Sequence, residues 1–184
     1  MEIFRVFDWD GTSRGRSPGG PLFVPRLRQG AGRHDAPEKY GAWYGSRSAV
    51  SAVAESIQFL RGHALADSDF QRAGGANKAL VGLWLDDALR LVDLDDPSQL
   101  AARHLRPSQV ATLRRTVTQR IAVSMFDEGA GGLSWWSILE AEWTNMTLFY
   151  ERALPYVSVM GPPRRLAIRL PEVQQAAELL GIQL

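Results

Sequence analysis

Residues 32–55 read GRHDAPEKYGAWYGSRSAVSAVAE, and three kinds of local structure follow one another there. The segment 29–39 mixes glycine, proline and charge around Gly30 and Gly32, which marks a polar loop. Residues 41–46 (GAWYGS) read as a strand built on aromatic side chains. Ser46 or Ser48 can cap a helix in which Ala49, Val50, Val53, Ala54, Ile57 and Leu60 share one face. Gly62 supplies its end. Arg33 thus precedes the strand in a flexible loop, Tyr44 closes the strand, and Glu55 follows one helix-length later. A strand with a helix packed on it can bring Tyr44 and Glu55 near a common cleft.

Toward the N-terminus, residues 2–7 alternate well enough for a first strand. Residues 9–21 are dense in Gly, Ser, Arg and Pro and read as a loop, and 22–24 as a short strand. Toward the C-terminus, 63–77 is a polar surface loop, and 78–85 and 90–94 are two strands. A short helix covers 97–105. Pro107 opens a longer one, with Val110, Leu113, Val117, Ile121 and Met125 at helical spacing, stopped by the glycines of 129–132. SWWSIL (134–139), NMTLFY (145–150) and RRLAIRL (164–170) read as three further strands, and Pro171 opens a last helix that runs to Leu180. There is no internal repeat and no linker. Residues 1–184 are therefore expected to form one α+β domain with more strands than helices.

Composition narrows the function. The 184 residues are 45% hydrophobic and 22% charged, enough for a proper core in a single domain. A net charge of +1 argues against general nucleic-acid binding, which draws its affinity from a basic surface. Lysine occurs only at Lys39 and Lys78, so arginine supplies nearly all the cationic groups. Arginine suits bidentate recognition of phosphate or carboxylate, although a GC-rich coding sequence produces the same bias. The absence of cysteine excludes disulfide frameworks, thiol catalysis and zinc ribbons. No run approaches the ~18 apolar residues of a membrane span. The opening MEIFRVFDWD carries acids where a signal peptide carries basic and apolar residues, so a cytoplasmic location is expected, with no membrane partner. His34, His63 and His104 lack metal-ligand spacing, and no metal site is expected.

Taken singly, each candidate residue has an ordinary explanation. Loop arginines are usually solvated, a strand tyrosine usually packs in the core with its hydroxyl outward, and a helix glutamate usually faces water. Glu55, however, follows Ala54 and lies beside the Val50/Val53/Ile57 stripe rather than opposite it. Trp135, Trp136 and Trp143 belong to the core or to a partner surface, where aromatics concentrate.

The ordered set carries more than its parts. GRH, AWYGS and SAVAE are followed by LVDL at 91–94, by Thr118-Gln119 with Ile121 and Ala122, and by GLSWWS at 132–137. This succession resembles the RES family, named after an arginine, a glutamate and a serine. His34 departs from the family's commoner aromatic, and the segment between Glu55 and Ser137 is long. The resemblance implies an ADP-ribosyltransferase-like fold: a split, mostly antiparallel β-sheet with flanking helices. It also implies a toxin that takes NAD⁺ as substrate and is neutralised by a cognate Xre-type antitoxin protein. The ADP-ribose acceptor stays open among water, inorganic phosphate as co-substrate (a glycohydrolase or a phosphorylase), and a protein side chain (an ADP-ribosyltransferase).

On that resemblance the catalytic set is Arg33, Tyr44, Glu55 and Ser137, with Arg33, Tyr44 and Ser137 also binding the dinucleotide. Cleaving the nicotinamide–ribose bond develops positive charge on the ribose, much as glycoside hydrolysis does. A carboxylate such as Glu55 stabilises that charge. Arg33 can hold the pyrophosphate by charge-assisted hydrogen bonds. Tyr44 can stack on nicotinamide or bond the ribose, and Ser137 can bond the nicotinamide amide or a ribose hydroxyl. A further N-terminal arginine remains to be chosen among Arg5, Arg14, Arg16, Arg26 and Arg28.

Two other readings compete. FDWDGT at 7–12 resembles the DxDGT motif of Mg²⁺-dependent haloacid-dehalogenase-like phosphatases, with Asp8 as nucleophile, Asp10 as acid/base, Lys78 as the required lysine and Asp95-Asp96 as the late acidic pair. That family needs strands alternating with helices around a parallel sheet, whereas residues 13–21 cannot easily begin a helix and the strands after Lys78 follow each other closely. Asp8 and Asp10 fit turn positions better. The third reading is a RES-like fold that only binds a partner, against which intact Arg33, Tyr44 and Glu55 argue.

Overall fold

Alternation at the N-terminus produces a strand longer than expected, because polar Asp8 and amphipathic Trp9 continue the pleat that Glu2 begins. In the computed structural model, which describes residues 1–184, the strands in chain order are β1 (Glu2–Trp9), β2 (Ala42–Ser46), β3 (Asn77–Leu85), β4 (Leu91–Asp93), β5 (Gly132–Trp136), β6 (Thr144–Phe149), β7 (Val157–Val159) and β8 (Arg164–Arg165). The helices are α1 (Ala49–Ile57), α2 (Pro97–Ala102), α3 (Pro107–Val110), α4 (Arg115–Asp127), α5 (Tyr150–Ala153) and α6 (Pro171–Leu180). The chain divides into two compact units. One comprises Met1–Phe23, Ser46–Trp84 and Ser158–Leu184, and the other Val24–Gly45 and Leu85–Val157. The class is α+β, with a mixed, mostly antiparallel sheet and flanking helices.

In the first unit β1 and β3 pair antiparallel from Glu2↔Trp84 to Trp9↔Asn77. β8 adds at Ala79↔Arg165, and the Met160 amide donates to the Gly82 carbonyl. α1 begins at Ser48, whose hydroxyl accepts the Ser51 amide, so the nearer of the two serines to the helix is the cap. α1 packs on β1 and on α6, burying Val53, Ala54 and Ile57 together with Val173, Ala176 and Ala177 of α6. Pro171 starts α6 as expected and Gly181, at φ 66°, ends it in the left-handed conformation that glycine adopts without penalty.

In the second unit the strand order is β4-β5-β6-β2. β4 and β5 run parallel and β5 and β6 antiparallel. A Cβ on Gly132 would lie 2.6 Å from the Thr147 carbonyl oxygen, so glycine there is a condition of the close β5–β6 approach. Tyr40, Val92, Leu94, Ile121, Met125 and Phe149 form its core. No helix is long and apolar enough to cross a membrane.

Several expectations need correction. Residues 22–24 form no strand, because the carbonyl groups of Pro21 and Phe23 turn to the Arg5 guanidinium at 2.8 Å each instead of to a neighbouring strand. The loop at 63–77 contains a 3-10 turn, Asp67–Phe70, that buries Phe70. The single helix expected from Pro107 is two, with Leu113 exposed between them. RRLAIRL is strand only at Arg164–Arg165, where it meets β3, and the short β7 forms where the sequence pattern predicts no strand.

Candidate active site

The loop ahead of β2 is held, not flexible. The Asp35 carboxylate accepts the amides of Gly30 (2.8 Å) and Gly32 (2.7 Å) on Oδ2. The Gln119 side chain of α4 donates to the carbonyl groups of the same two glycines at 3.0 and 2.9 Å. Tyr40 donates its hydroxyl to the His34 carbonyl at 2.8 Å. Five backbone groups of the segment thus gain a partner, which helps a polar segment leave water. Arg33 is 6% exposed and His34 only 1%.

Arg33 faces inward. Its Nη1 donates to the Val110 and Thr112 carbonyl oxygens at 2.9 Å each, in the gap between α3 and α4. Its guanidinium carbon stands 4.7 Å from the Trp135 ring centroid, within cation–π range. The Thr118 hydroxyl holds the Arg33 carbonyl. His34 occupies its place as an aromatic would: its ring meets Trp135 edge-on at 5.3 Å while Nδ1 lies 2.8 Å from the Thr147 hydroxyl. Burial, reinforced by the charges of Arg33 and Arg115, holds the imidazole well below the usual histidine range, so it is neutral near pH 7. The Trp135 indole N–H is buried without an acceptor.

Tyr44 is joined to this loop through its hydroxyl, which accepts the His34 amide at 2.9 Å and donates to Asp35 Oδ1 at 2.7 Å. Burial, then the neighbouring Asp35 charge, push the phenol well above the ordinary tyrosine range, so Tyr44 stays protonated. Ser137 follows directly on β5, one residue past its end. It is 2% exposed, its amide donates to the Trp143 carbonyl at 2.7 Å, and its Oγ accepts the Leu139 amide at 3.1 Å. Arg33, Tyr44 and Ser137 thus belong to the second unit, with the first two linked through His34 and Asp35. Glu55 belongs to the first unit, half-buried in the last turn of α1, where its Oε2 accepts the Gln58 side-chain amide at 2.8 Å.

Beside the loop the second unit has a cleft of about 460 Å³ lined by Asp35, Glu38, Gln119 and Arg120 among others, and by none of Arg33, Tyr44 or Ser137. Among the N-terminal arginines, Arg5 binds carbonyl groups and Arg26 binds the Pro37 carbonyl (2.6 Å) and Glu151 (2.7 Å). Arg14, Arg16 and Arg28 are exposed. Arg14 borders a cleft of about 550 Å³ in the first unit, with Trp9 and Pro162. No group of three or more His, Asp or Glu side chains is placed to hold a metal ion.

The two aspartates of the phosphatase reading lie elsewhere in character. Asp8 pairs with Arg72 at 3.0 Å. Asp10 caps a turn, accepting the Thr12 amide (2.8 Å) and the Ser13 amide (2.6 Å). Hydrogen bonds from Ser13 lower its pKa to about 2. β1 runs antiparallel to β3, not in the parallel sheet that a phosphatase of that type requires.

Sequence reasoning missed Asp35, which only the hydrogen-bonding habit of aspartate near glycines could have signalled. Thr118-Gln119 is visible in the sequence, but its hold on the Arg33 loop depends on contacts more than 80 positions apart.

Comparison with known proteins adds two findings. A family model described as the RES domain matches residues 5–169. Among solved structures, the M. tuberculosis MbcT–MbcA toxin–antitoxin complex contains a chain with a similar fold, at TM-score 0.65 and 17% identity, covering 98% of this chain and 88% of that one. No curated protein is significantly similar in sequence.

Proposed function

The chain belongs to the RES domain family, and from that premise we propose that it is a toxin-type enzyme that cleaves NAD⁺ at the nicotinamide–ribose bond. Water or inorganic phosphate takes the ADP-ribose, and no metal takes part. The observation that carries this reading is the family match over residues 5–169, a span that contains Arg33, Tyr44, Glu55 and Ser137. In this reading the whole chain works as one RES domain in the cytoplasm. The fold shared with a chain of a toxin–antitoxin complex supports a protein antitoxin as its partner, which this reading takes to be of Xre type.

The roles follow from the chemistry of the groups. The Glu55 carboxylate stabilises positive charge as the ribose carbon loses nicotinamide, and such fixed electrostatics is often the largest catalytic contribution. Arg33 supplies a positive charge fixed by two carbonyl groups and an indole face for the pyrophosphate. The neutral phenol of Tyr44 and the Ser137 hydroxyl orient the substrate by hydrogen bonding. With water as acceptor the products are ADP-ribose, nicotinamide and one proton.

Glu55 is the residue to test, because it is half-buried on a helix while Arg33 and Ser137 are packed inside. Pure protein is incubated with NAD⁺, with and without phosphate, and the products are read by mass spectrometry. Wild type is expected to release nicotinamide. Glu55→Gln is expected to do so roughly 100-fold more slowly or worse, with an unchanged melting curve. Intact NAD⁺ after prolonged incubation with wild type sinks the proposal, and transfer of ADP-ribose to added protein redirects it to an ADP-ribosyltransferase.

A further inference from the structure

We propose that Asp35 is the positioning residue of the candidate site: by accepting hydrogen bonds from the Tyr44 hydroxyl and from the amides of Gly30 and Gly32, it fixes Tyr44 as a hydrogen-bond acceptor toward whatever hydroxyl or amide the substrate presents. The inference rests on the proposed NAD⁺ cleavage for its substrate, but the hydrogen-bond polarity rests on geometry alone.

A phenol has one proton to donate and oxygen lone-pair density with which to accept. In this protein the proton points to Asp35 Oδ1 at 2.7 Å, and the oxygen already receives the His34 amide at 2.9 Å. The remaining capacity of Tyr44 toward a third group is to accept. Both Asp35 oxygens act as acceptors, Oδ1 from the phenol and Oδ2 from the two amides, which sets the direction of the bond. The two amides on Oδ2 also remove the rotational freedom a lone carboxylate would have. Asp35 is 7% exposed, and a hydrogen bond in such surroundings is stronger than its counterpart in water.

The backbone is shaped to admit this pair. A Cβ on Gly32 would stand 2.5 Å from Asp35 Oδ1 and 2.6 Å from the Tyr44 oxygen, so Gly32 is the residue that lets carboxylate and phenol meet against the chain. Gln119 grips the same glycines from their carbonyl side. Arg33, one residue on, is carried by the same framework. A phenol arranged in this way selects a ligand donor, such as a ribose hydroxyl, and is excluded as a general acid. The elevation of its pKa by burial and by Asp35 agrees with that exclusion.

The test compares Asp35→Asn, Asp35→Ala, Tyr44→Phe and the Asp35→Ala/Tyr44→Phe double variant. Asparagine keeps the size and can still accept the glycine amides, but offers Tyr44 an N–H in place of a carboxylate oxygen. Two measurements are made. In protein labelled with ¹³Cζ-tyrosine, Asp35→Asn is expected to move the Tyr44 resonance further than those of the other three tyrosines, as the phenol stops donating to a carboxylate. In steady-state NAD⁺ consumption, Asp35→Ala is expected to lower kcat/KM roughly tenfold in the wild-type background but less than about threefold in the Tyr44→Phe background, because the two residues act as one unit. A Tyr44 resonance unmoved by Asp35→Asn overturns the proposal, and so do losses that simply multiply in the double variant. If wild type leaves NAD⁺ intact, the substrate assignment fails, and the resonance alone decides whether Asp35 sets the polarity of Tyr44.

Discussion

At the scale of single residues, His34 shows how a polar side chain serves a packed interior. Its ring meets Trp135 edge-on, as an aromatic side chain would, while its Nδ1 lies 2.8 Å from the Thr147 hydroxyl. That arrangement requires a neutral ring, and it has a pH signature. An unfolded chain binds a proton at His34 near the ordinary value of 6.5, and the folded chain only well below it. From pH 6.5 downward the unfolded state therefore binds more protons, and stability falls as pH falls. The slope from this one group approaches at most about 1.4 kcal/mol per pH unit. Urea unfolding between pH 7.5 and 5.5 should show wild type losing stability more steeply than His34→Phe. Parallel slopes for the two proteins would mean that the buried imidazole does not control the effect. Arg33 teaches the complementary lesson about legibility. The sequence shows an arginine amid glycines and charges, which reads as a solvated loop. It does not show that Asp35 and Gln119, 84 positions apart in the chain, satisfy the backbone and so allow burial.

Whole elements were legible where period and punctuation agreed. Ser48, the Val53/Ala54/Ile57 face and the proline–glycine pair around α6 each act locally, and α1 and α6 follow from them. The helix expected from Pro107 had the right apolar spacing and still broke, because a partner distant in sequence offered its carbonyl groups something better. Val110 and Thr112 bond Arg33 at 2.9 Å each instead of continuing a helical ladder, and Leu113 is left outside. RRLAIRL failed for a related reason: a strand is defined by its partner, and only Arg164–Arg165 meets β3. The helix break yields a prediction about Arg33 that concerns stability rather than chemistry. Arg33→Met keeps an apolar stem on Trp135 but leaves the Val110 and Thr112 carbonyl groups, bonded in buried and part-buried surroundings, without their donor, at about 1–3 kcal/mol for such a group. The variant is expected to unfold with a loss of about 2–4 kcal/mol, and amides at the start of α4 are expected to exchange faster. A variant as stable as wild type would show that the break persists without the guanidinium. Until that is measured, lost activity in an Arg33 variant does not by itself report a phosphate contact.

At the scale of the whole molecule, each compact unit is assembled from separate stretches of chain. The first is made of Met1–Phe23, Ser46–Trp84 and Ser158–Leu184, so its last segment is supplied only after the second unit's sequence is complete. That segment carries α6, whose Val173, Ala176 and Ala177 are fully buried and which packs on α1. Without it, α1 keeps Val53, Ala54 and Ile57 on a face with nothing to cover part of it, and a nine-residue helix has little stability of its own. The second unit, by contrast, has its residues in Val24–Gly45 and Leu85–Val157, including the Tyr40/Met125/Phe149 core and the Asp35–Tyr44 framework. A chain ending at Val157 is therefore expected to lose protection selectively. Amide exchange at β1, β3 and α1 should approach the rate of unstructured peptide, while the amides shared by β5 and β6 remain slow and the Tyr44 resonance keeps its full-length position. Equal protection of β1 and β3 in the short and full chains would show that α6 is dispensable to the first unit. Uniform loss everywhere would show that the two units fold as a single cooperative body, in which Glu55 and the Arg33 loop stand or fall together.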